Sequence, residues 1–165
     1  MNKFLKKGQT VLLNFLGKSE NPYEKELLSK DIDSTRFVVL DTETTGFDYV
    51  KDRILCIGAV VLQNNTISIH DSFEVYIQQE HYDKTTAKIH GILKDFALDK
   101  PNELQVLQQF LTFLGDSIII AHHTVFDVTM INKALERNGL PSLTNKSLDT
   151  AVLYKKTLIV SHLFE

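Results

Sequence analysis

One ten-residue run constrains this chain more than any other: Phe37-Val38-Val39-Leu40-Asp41-Thr42-Glu43-Thr44-Thr45-Gly46. The apolar, β-branched first half reads as a strand, and it delivers two carboxylates, one residue apart, just ahead of a glycine turn. Side chains on a strand alternate faces, so Asp41 and Glu43 project to one side while Thr42 points away. Two close carboxylates repel and raise each other's pKa unless a divalent cation neutralises them, and a pair of this kind is how hard oxygen sites for Mg²⁺ or Mn²⁺ are built. The spacing alone also fits a polar strand end facing solvent.

The rest of the chain must supply the surroundings of that strand. With 165 residues and 43% hydrophobic content it is long enough for one well-packed domain and too short for two large ones. The formal net charge of −3 provides no global basic field, so a nucleic-acid partner would have to be held locally, through metals and backbone contacts. A single cysteine, Cys56, has no internal disulfide partner and lies in the apolar segment Ile54-Leu55-Cys56-Ile57, which predicts a packed core thiol in a reducing compartment. Apolar stretches fall short of a membrane span, and the N-terminus lacks a signal-peptide pattern. These features predict a soluble, cytoplasmic protein without a membrane partner.

Residues 1–34 differ in character from the remainder of the chain. Lys3, Lys6, Lys7 and Lys18 interleave with Phe4, Leu5, Val11, Leu12, Leu13, Phe15 and Leu16, as in a short amphipathic helical arm that ends in a polar linker. Residues 35–165 form the expected domain. Strands are predicted over 36–41, 54–62 and 67–77, the last two joined at Asn64-Asn65, which makes an antiparallel meander. Pro101-Asn102-Glu103 opens a helix with Leu104, Leu107, Leu111 and Leu114 at three- and four-residue spacing and Phe110 beside them, closed by Gly115. A short strand over 117–121, a helix from Val125 to about Asn138, a strand at Ser147-Leu148-Asp149 and a helix from Ala151 complete the order βββαβαβα. That order predicts an α/β fold: one central mixed sheet with helices on its faces.

A third acid stands at the start of the second long helix, in Ala121-His122-His123-Thr124-Val125-Phe126-Asp127. An Asp in a first helical turn can simply satisfy free N–H groups and the helix dipole. If the fourth strand lies beside the first, however, Asp127 comes to the same sheet edge as Asp41 and Glu43 and can join them in a metal site.

Together these residues resemble the DEDD exonucleases of the ribonuclease H-like fold, in the branch typified by the proofreading epsilon subunit of bacterial replicative polymerase. Asp41-Thr42-Glu43-Thr44-Thr45-Gly46 resembles that family's first motif, and Ile54-Leu55-Cys56-Ile57-Gly58-Ala59-Val60 its following strand. Lys88-Ile89-His90-Gly91-Ile92 is similar to its loop before the first helix, and Ala121 to Asp127 to its second motif, with His123 where the family usually has Asn. The resemblance runs from about Arg36 to Lys156.

It implies 3′–5′ hydrolysis of phosphodiester bonds with two divalent cations, Mg²⁺ or Mn²⁺, releasing nucleoside 5′-monophosphates from a free 3′ end, single-stranded DNA being favoured. Asp41 would bridge both ions, Glu43 would hold the one that activates water, and Asp127 would act on the leaving-group side, directly or one shell out. Thr42, Thr44 and the turn at Gly46 would contact the terminal nucleotide and His90 would line its pocket. Thr44 and His90 also fit plain turn and loop roles. Phe126 fits core packing and also base stacking. A DNA polymerase subunit is the implied protein partner.

The family's third motif, a His followed five residues later by an Asp on a final helix, has no counterpart at the end of this sequence. His162 is followed only by Leu163, Phe164 and Glu165, and Asp149 matches the preceding non-catalytic strand, where it serves most simply as a helix cap. The expectation is a C-terminally incomplete exonuclease domain, slowed by about 10²- to 10⁴-fold through loss of positioned acid–base catalysis. Rival readings are a 3′–5′ exoribonuclease, a non-catalytic nucleic-acid-binding or polymerase-tethering module, and a haloacid dehalogenase-type phosphatase. The last lacks its second Asp and its later motifs here.

Overall fold

A computed structural model describes residues 34–79 and 100–156. The expected amphipathic arm, the loop containing His90 and the segment containing His162 lie outside them. The order of elements is β1 (Phe37–Thr44), β2 (Ile54–Gln63), β3 (Thr66–Tyr76), α1 (Glu103–Leu114), β4 (Ile118–Ala121), α2 (Thr124–Arg137), β5 (Ser147–Asp149) and α3 (Thr150–Lys156). It matches the predicted βββαβαβα.

The strands form one five-stranded mixed sheet in the order β3-β2-β1-β4-β5. β1, β2 and β3 make the antiparallel meander, turned between β2 and β3 by Asn64 and Asn65 at φ 51° and 56°. Two consecutive positive-φ residues match the strand twist, and Asn tolerates them better than most side chains. β4 then runs parallel to β1, and β5 parallel to β4. The crossovers therefore put the acid-bearing strand at the centre and the start of α2 beside its C-terminal end.

Alternation along β1 decides which side chains meet the helices. Val38 and Leu40 join Ile57, Ala59, Phe73 and Ile119 in a core closed by Val106, Leu107 and Phe110 of α1 and by Met130, Ile131, Ala134 and Leu135 of α2. Phe73 and Phe110 meet edge-on with ring centroids 5.6 Å apart. The opposite face carries Phe37, Val39, Val60, Leu62, Ile118, Ile120 and Leu148 across adjacent strands.

α1 starts where expected. Asn102 caps it, its side chain accepting from the Gln105 N–H while Gln105 reaches back to the Asn102 N–H, and Gly115 ends it at φ 50°. Its buried stripe differs from the leucine pattern: Val106, Leu107, Phe110 and Leu114 are buried, Leu111 is half-buried and Leu104 is exposed. At 100° per residue Leu104 and Leu111 fall on the margin of the stripe set by Val106, Leu107, Phe110 and Leu114, while Glu103, on the stripe's own line in the first turn, pairs with Arg137 of α2. No helix of the described residues is long and apolar enough to cross a membrane.

Candidate active site

The C-terminal half of β1 sets the site. Asp41 and Glu43 are exposed, whereas Thr42 between them is buried and turned toward α2. The carboxylate of Asp127, only 2% exposed, meets Thr42 there: its Oδ1 accepts from the Thr42 N–H at 3.0 Å and from the Thr42 hydroxyl at 2.7 Å. An acid so placed does more than cap α2, because it ties the helix start to the middle of the acid pair, 85 residues away in sequence. Burial pushes the Asp127 carboxyl up from its ordinary value; the Thr42 hydroxyl pulls against that shift, the charge of Asp41 adds to it, and the net change is upward.

β4 beside β1 brings Asp127 to the expected edge, but the three acids do not form one closed cluster. Among the described residues no three His, Cys, Asp or Glu side chains are gathered closely enough to hold a metal ion. The physical reason is the alternation of β1: α2 packs on the face to which Thr42 points, while Asp41 and Glu43 leave from the other. Thr42 stands between the two sets of oxygens, so its hydroxyl is directed to Asp127 rather than outward to a nucleotide. Asp41 and Glu43 still offer neighbouring hard oxygen donors to a divalent cation, and a cation would offset the repulsion that Asp41 exerts on Asp127. The donor chemistry thus fits such an ion.

Beyond β1 the chain makes a tightly bonded loop. Thr44 donates its hydroxyl to the Gly46 carbonyl at 2.8 Å, a turn contact. Gly46 has no room for a side chain, since a Cβ there would lie 2.5 Å from Oδ2 of Asp52. The loop projects Phe47, 81% exposed, and Tyr49. Their ring centroids lie 5.7 Å and 5.8 Å from that of Phe126 on α2. Phe126 therefore has two sides: half-buried against the core, and one ring of an aromatic trio with Phe47 and Tyr49.

Phe47, Tyr49 and Asp52 escape a reading by motif. The signal available for the rings is two aromatics placed directly after the glycine turn that follows an acid pair.

At the turn before α2, His123 adopts φ 58°, ψ 48° and donates its N–H to Asp149 Oδ1 at 3.1 Å. Left-handed backbone suits Asn best but is also accessible to His, so the departure from the family residue leaves the turn intact. His122 Nδ1 lies 3.0 Å from the Thr150 hydroxyl. Asp149 also accepts from the Ala151 N–H at 2.8 Å, capping α3 as expected. Burial works against its ionised form, but the N–H groups of Ala151 and His123 hold its carboxyl below the ordinary value. Cys56 is buried, and burial followed by the charges of Glu74 and Glu43 pushes its thiol up to about 11, as befits a core residue rather than a nucleophile.

A central strand ending in acids, flanked by a meander on one side and parallel strands on the other, defines an α/β protein of the ribonuclease H-like fold. The solved structures it resembles agree. Exonuclease I superposes with a TM-score of 0.68 at 18% identity, over 74% of this chain and 30% of that one. E. coli exonuclease I in complex with a dA16 oligonucleotide superposes with a TM-score of 0.67, over 74% and 29%. The chain belongs to the RNase T family of exonucleases, which matches residues 38–159.

Sequence relatives include the PolC-type DNA polymerase III of Halalkalibacterium halodurans, 34% identical over 120 residues, covering 72% of this chain and 8% of that protein. The DNA polymerase III subunit epsilon of Buchnera aphidicola is 38% identical over 107 residues, covering 61% and 45%. The chain spans less than half the length of these relatives.

Proposed function

We propose that this exonuclease domain removes nucleotides from the 3′ end of single-stranded DNA with the help of two divalent cations, Mg²⁺ or Mn²⁺, releasing nucleoside 5′-monophosphates. The observation that carries this reading is the juxtaposition at one strand end of exposed Asp41 and Glu43, buried Asp127 and the ring trio Phe47, Phe126 and Tyr49. Asp41 and Glu43 would hold the cations. When bound, such ions bring the pKa of a coordinated water near neutrality and stabilise charge on the attacking and leaving oxygens. Asp127 would act one shell out, fixing the β1 backbone at Thr42 and thereby the direction of both acids.

The chain's other residues would bind and orient. The exposed face of Phe47 gives a terminal base a ring to stack on, with Phe126 behind it. Thr44 and Gly46 would shape the turn beneath that base, and His90 would line the nucleotide pocket. DNA is favoured over RNA by the relatives, which are DNA polymerase III proteins, and those relatives also make a polymerase subunit the partner of choice.

The test uses a 5′-labelled single strand of DNA and the matched RNA, incubated for hours with Mg²⁺ or Mn²⁺. Shortening of the DNA from its 3′ end, abolished by chelation and by Asp41→Ala, is the expected result. A strand that is bound and left intact would establish a non-catalytic module, and preferential shortening of the RNA an exoribonuclease.

A further inference from the structure

We propose that Asp52 is a positioning residue that holds the aromatic surface beside the acids in its working shape; the inference rests on the exonuclease reading only for the identity of the ligand. The loop 45–53 between β1 and β2 contains no helix or strand, yet it is closed by an inward-facing polar frame centred on this one carboxylate. Oδ1 of Asp52 accepts from the Thr45 hydroxyl at 2.8 Å, and Oδ2 accepts from the Asp48 N–H at 2.8 Å. The Asp52 N–H returns a bond to the Asp48 carbonyl at 2.8 Å, so the two residues are linked in both directions.

Both ends of the loop are tied to the same frame. Thr45, 2% exposed, donates its N–H to the Arg53 carbonyl and accepts the Arg53 N–H on its hydroxyl, each at 2.9 Å. Asp48 accepts from the N–H groups of Val50 and Lys51, and Arg53 Nη1 donates to the carbonyls of Val50, Lys51 and Asp52. The Asp52 carboxylate lies directly over the bare Cα of Gly46, where any Cβ would collide with it.

With the polar atoms turned inward, the apolar side chains between them have only one way to go. Phe47, between Gly46 and Asp48, and Tyr49, between Asp48 and Val50, face outward and flank Phe126. Two loop rings are thus registered against one helix ring by a carboxylate whose own bonds go to Thr45 and Asp48. Removing that carboxylate leaves the Thr45 hydroxyl and the Asp48 N–H without this acceptor and opens space above Gly46, so the loop gains alternative conformations and the rings lose their common register.

The experiment compares the wild-type chain with Asp52→Ala, Asp52→Asn and, as a control on the exposed side of the same loop, Lys51→Ala. In ligand-free protein, NMR cross-peaks between the Phe47 and Phe126 rings report the register directly. Affinity for a DNA strand with 2-aminopurine at its 3′ end, and the quenching of that base on binding, report the surface. Asp52→Ala is expected to lose the cross-peaks, to weaken binding by about tenfold, the weight of roughly one base–ring stack, and to lose the quenching. Asp52→Asn keeps an acceptor for Thr45 and should lie between it and wild type; it also decides the matter if Asp52→Ala does not fold. Lys51→Ala should match wild type. Cross-peaks, affinity and quenching that persist in the Asp52 variants would overturn the proposal. Failure of the wild-type chain to bind the strand would overturn the exonuclease reading instead, while the ring cross-peaks would still decide the role of Asp52.

Discussion

Asp127 shows how a single residue can be set against the stability of its own fold. Its carboxylate is buried, accepts two bonds from Thr42 and is pushed above its ordinary pKa by burial and by Asp41. A group whose folded pKa is raised contributes stability that is fully present below its unfolded value of 3.8 and is lost as pH rises through the folded value. At neutral pH the ionised Asp127 is therefore a cost that the fold carries, of the kind expected at a functional site. Asp127→Asn keeps an oxygen for Thr42 and removes the charge. In metal-free buffer it should raise the urea midpoint at pH 7 above that of wild type, with the difference shrinking as the pH falls toward 4. A lower midpoint at pH 7 would mean that the charge is stabilising in place and that Asp127 is a structural acid.

At the scale of elements, most of the architecture follows from periodicities that a chain displays openly. β1, β2 and β4 are runs of β-branched residues bounded by turn formers, and sequence names the start of α1 at Asn102, its end at Gly115 and the end of α2 at Asn138-Gly139, but not the start of α2, where His123 makes no side-chain cap bond. The stripe on α1 was less legible because leucine spacing alone does not say which line along the helix faces the core, and Leu104 fell outside it. The loop 45–53 was legible only at its opening glycine turn. Its shape comes from side chain to backbone bonds of Asp48, Asp52 and Arg53, which have no period and look in sequence like any charged surface turn.

The join between α3 and the turn before α2 is a smaller case of the same kind. One oxygen of Asp149 accepts from the N–H groups of both Ala151 and His123. Asp149→Ala should cost about 1 kcal/mol, the usual weight of a cap. Because its folded pKa is depressed, the contribution of the charge is present above the unfolded value of 3.8 and is lost as pH falls through the folded one. The gap between wild type and variant in chemical denaturation should accordingly narrow below about pH 4. A gap independent of pH would show that the charge of Asp149 takes no part.

For the whole molecule, the sheet order is what makes a site out of separate motifs. β4 lies parallel against β1 and delivers α2 to the end of the strand that carries Asp41 and Glu43, so residues 41, 43 and 127 share one edge. The sequence order βββαβαβα allowed that arrangement, and the resemblance to an exonuclease family selected it. Neither revealed that Thr42 would separate Asp127 from the other two acids, because that depends on which face of the sheet α2 covers. On the proposed reading the consequence is a division of labour, in which the two exposed acids would hold cations and the buried acid would hold the strand that bears them.

Mn²⁺ binding followed by the electron paramagnetic resonance of the free ion tests that division most directly. Wild-type chain should take up Mn²⁺, and Asp41→Asn or Glu43→Gln should lose most of the uptake. Asp127→Asn should retain it with affinity lowered about 10- to 100-fold, as for residues that orient a ligand without touching the ion. Equal uptake by wild type and all three variants would contradict the account, because the acids at the end of β1 would then not be where the cation binds.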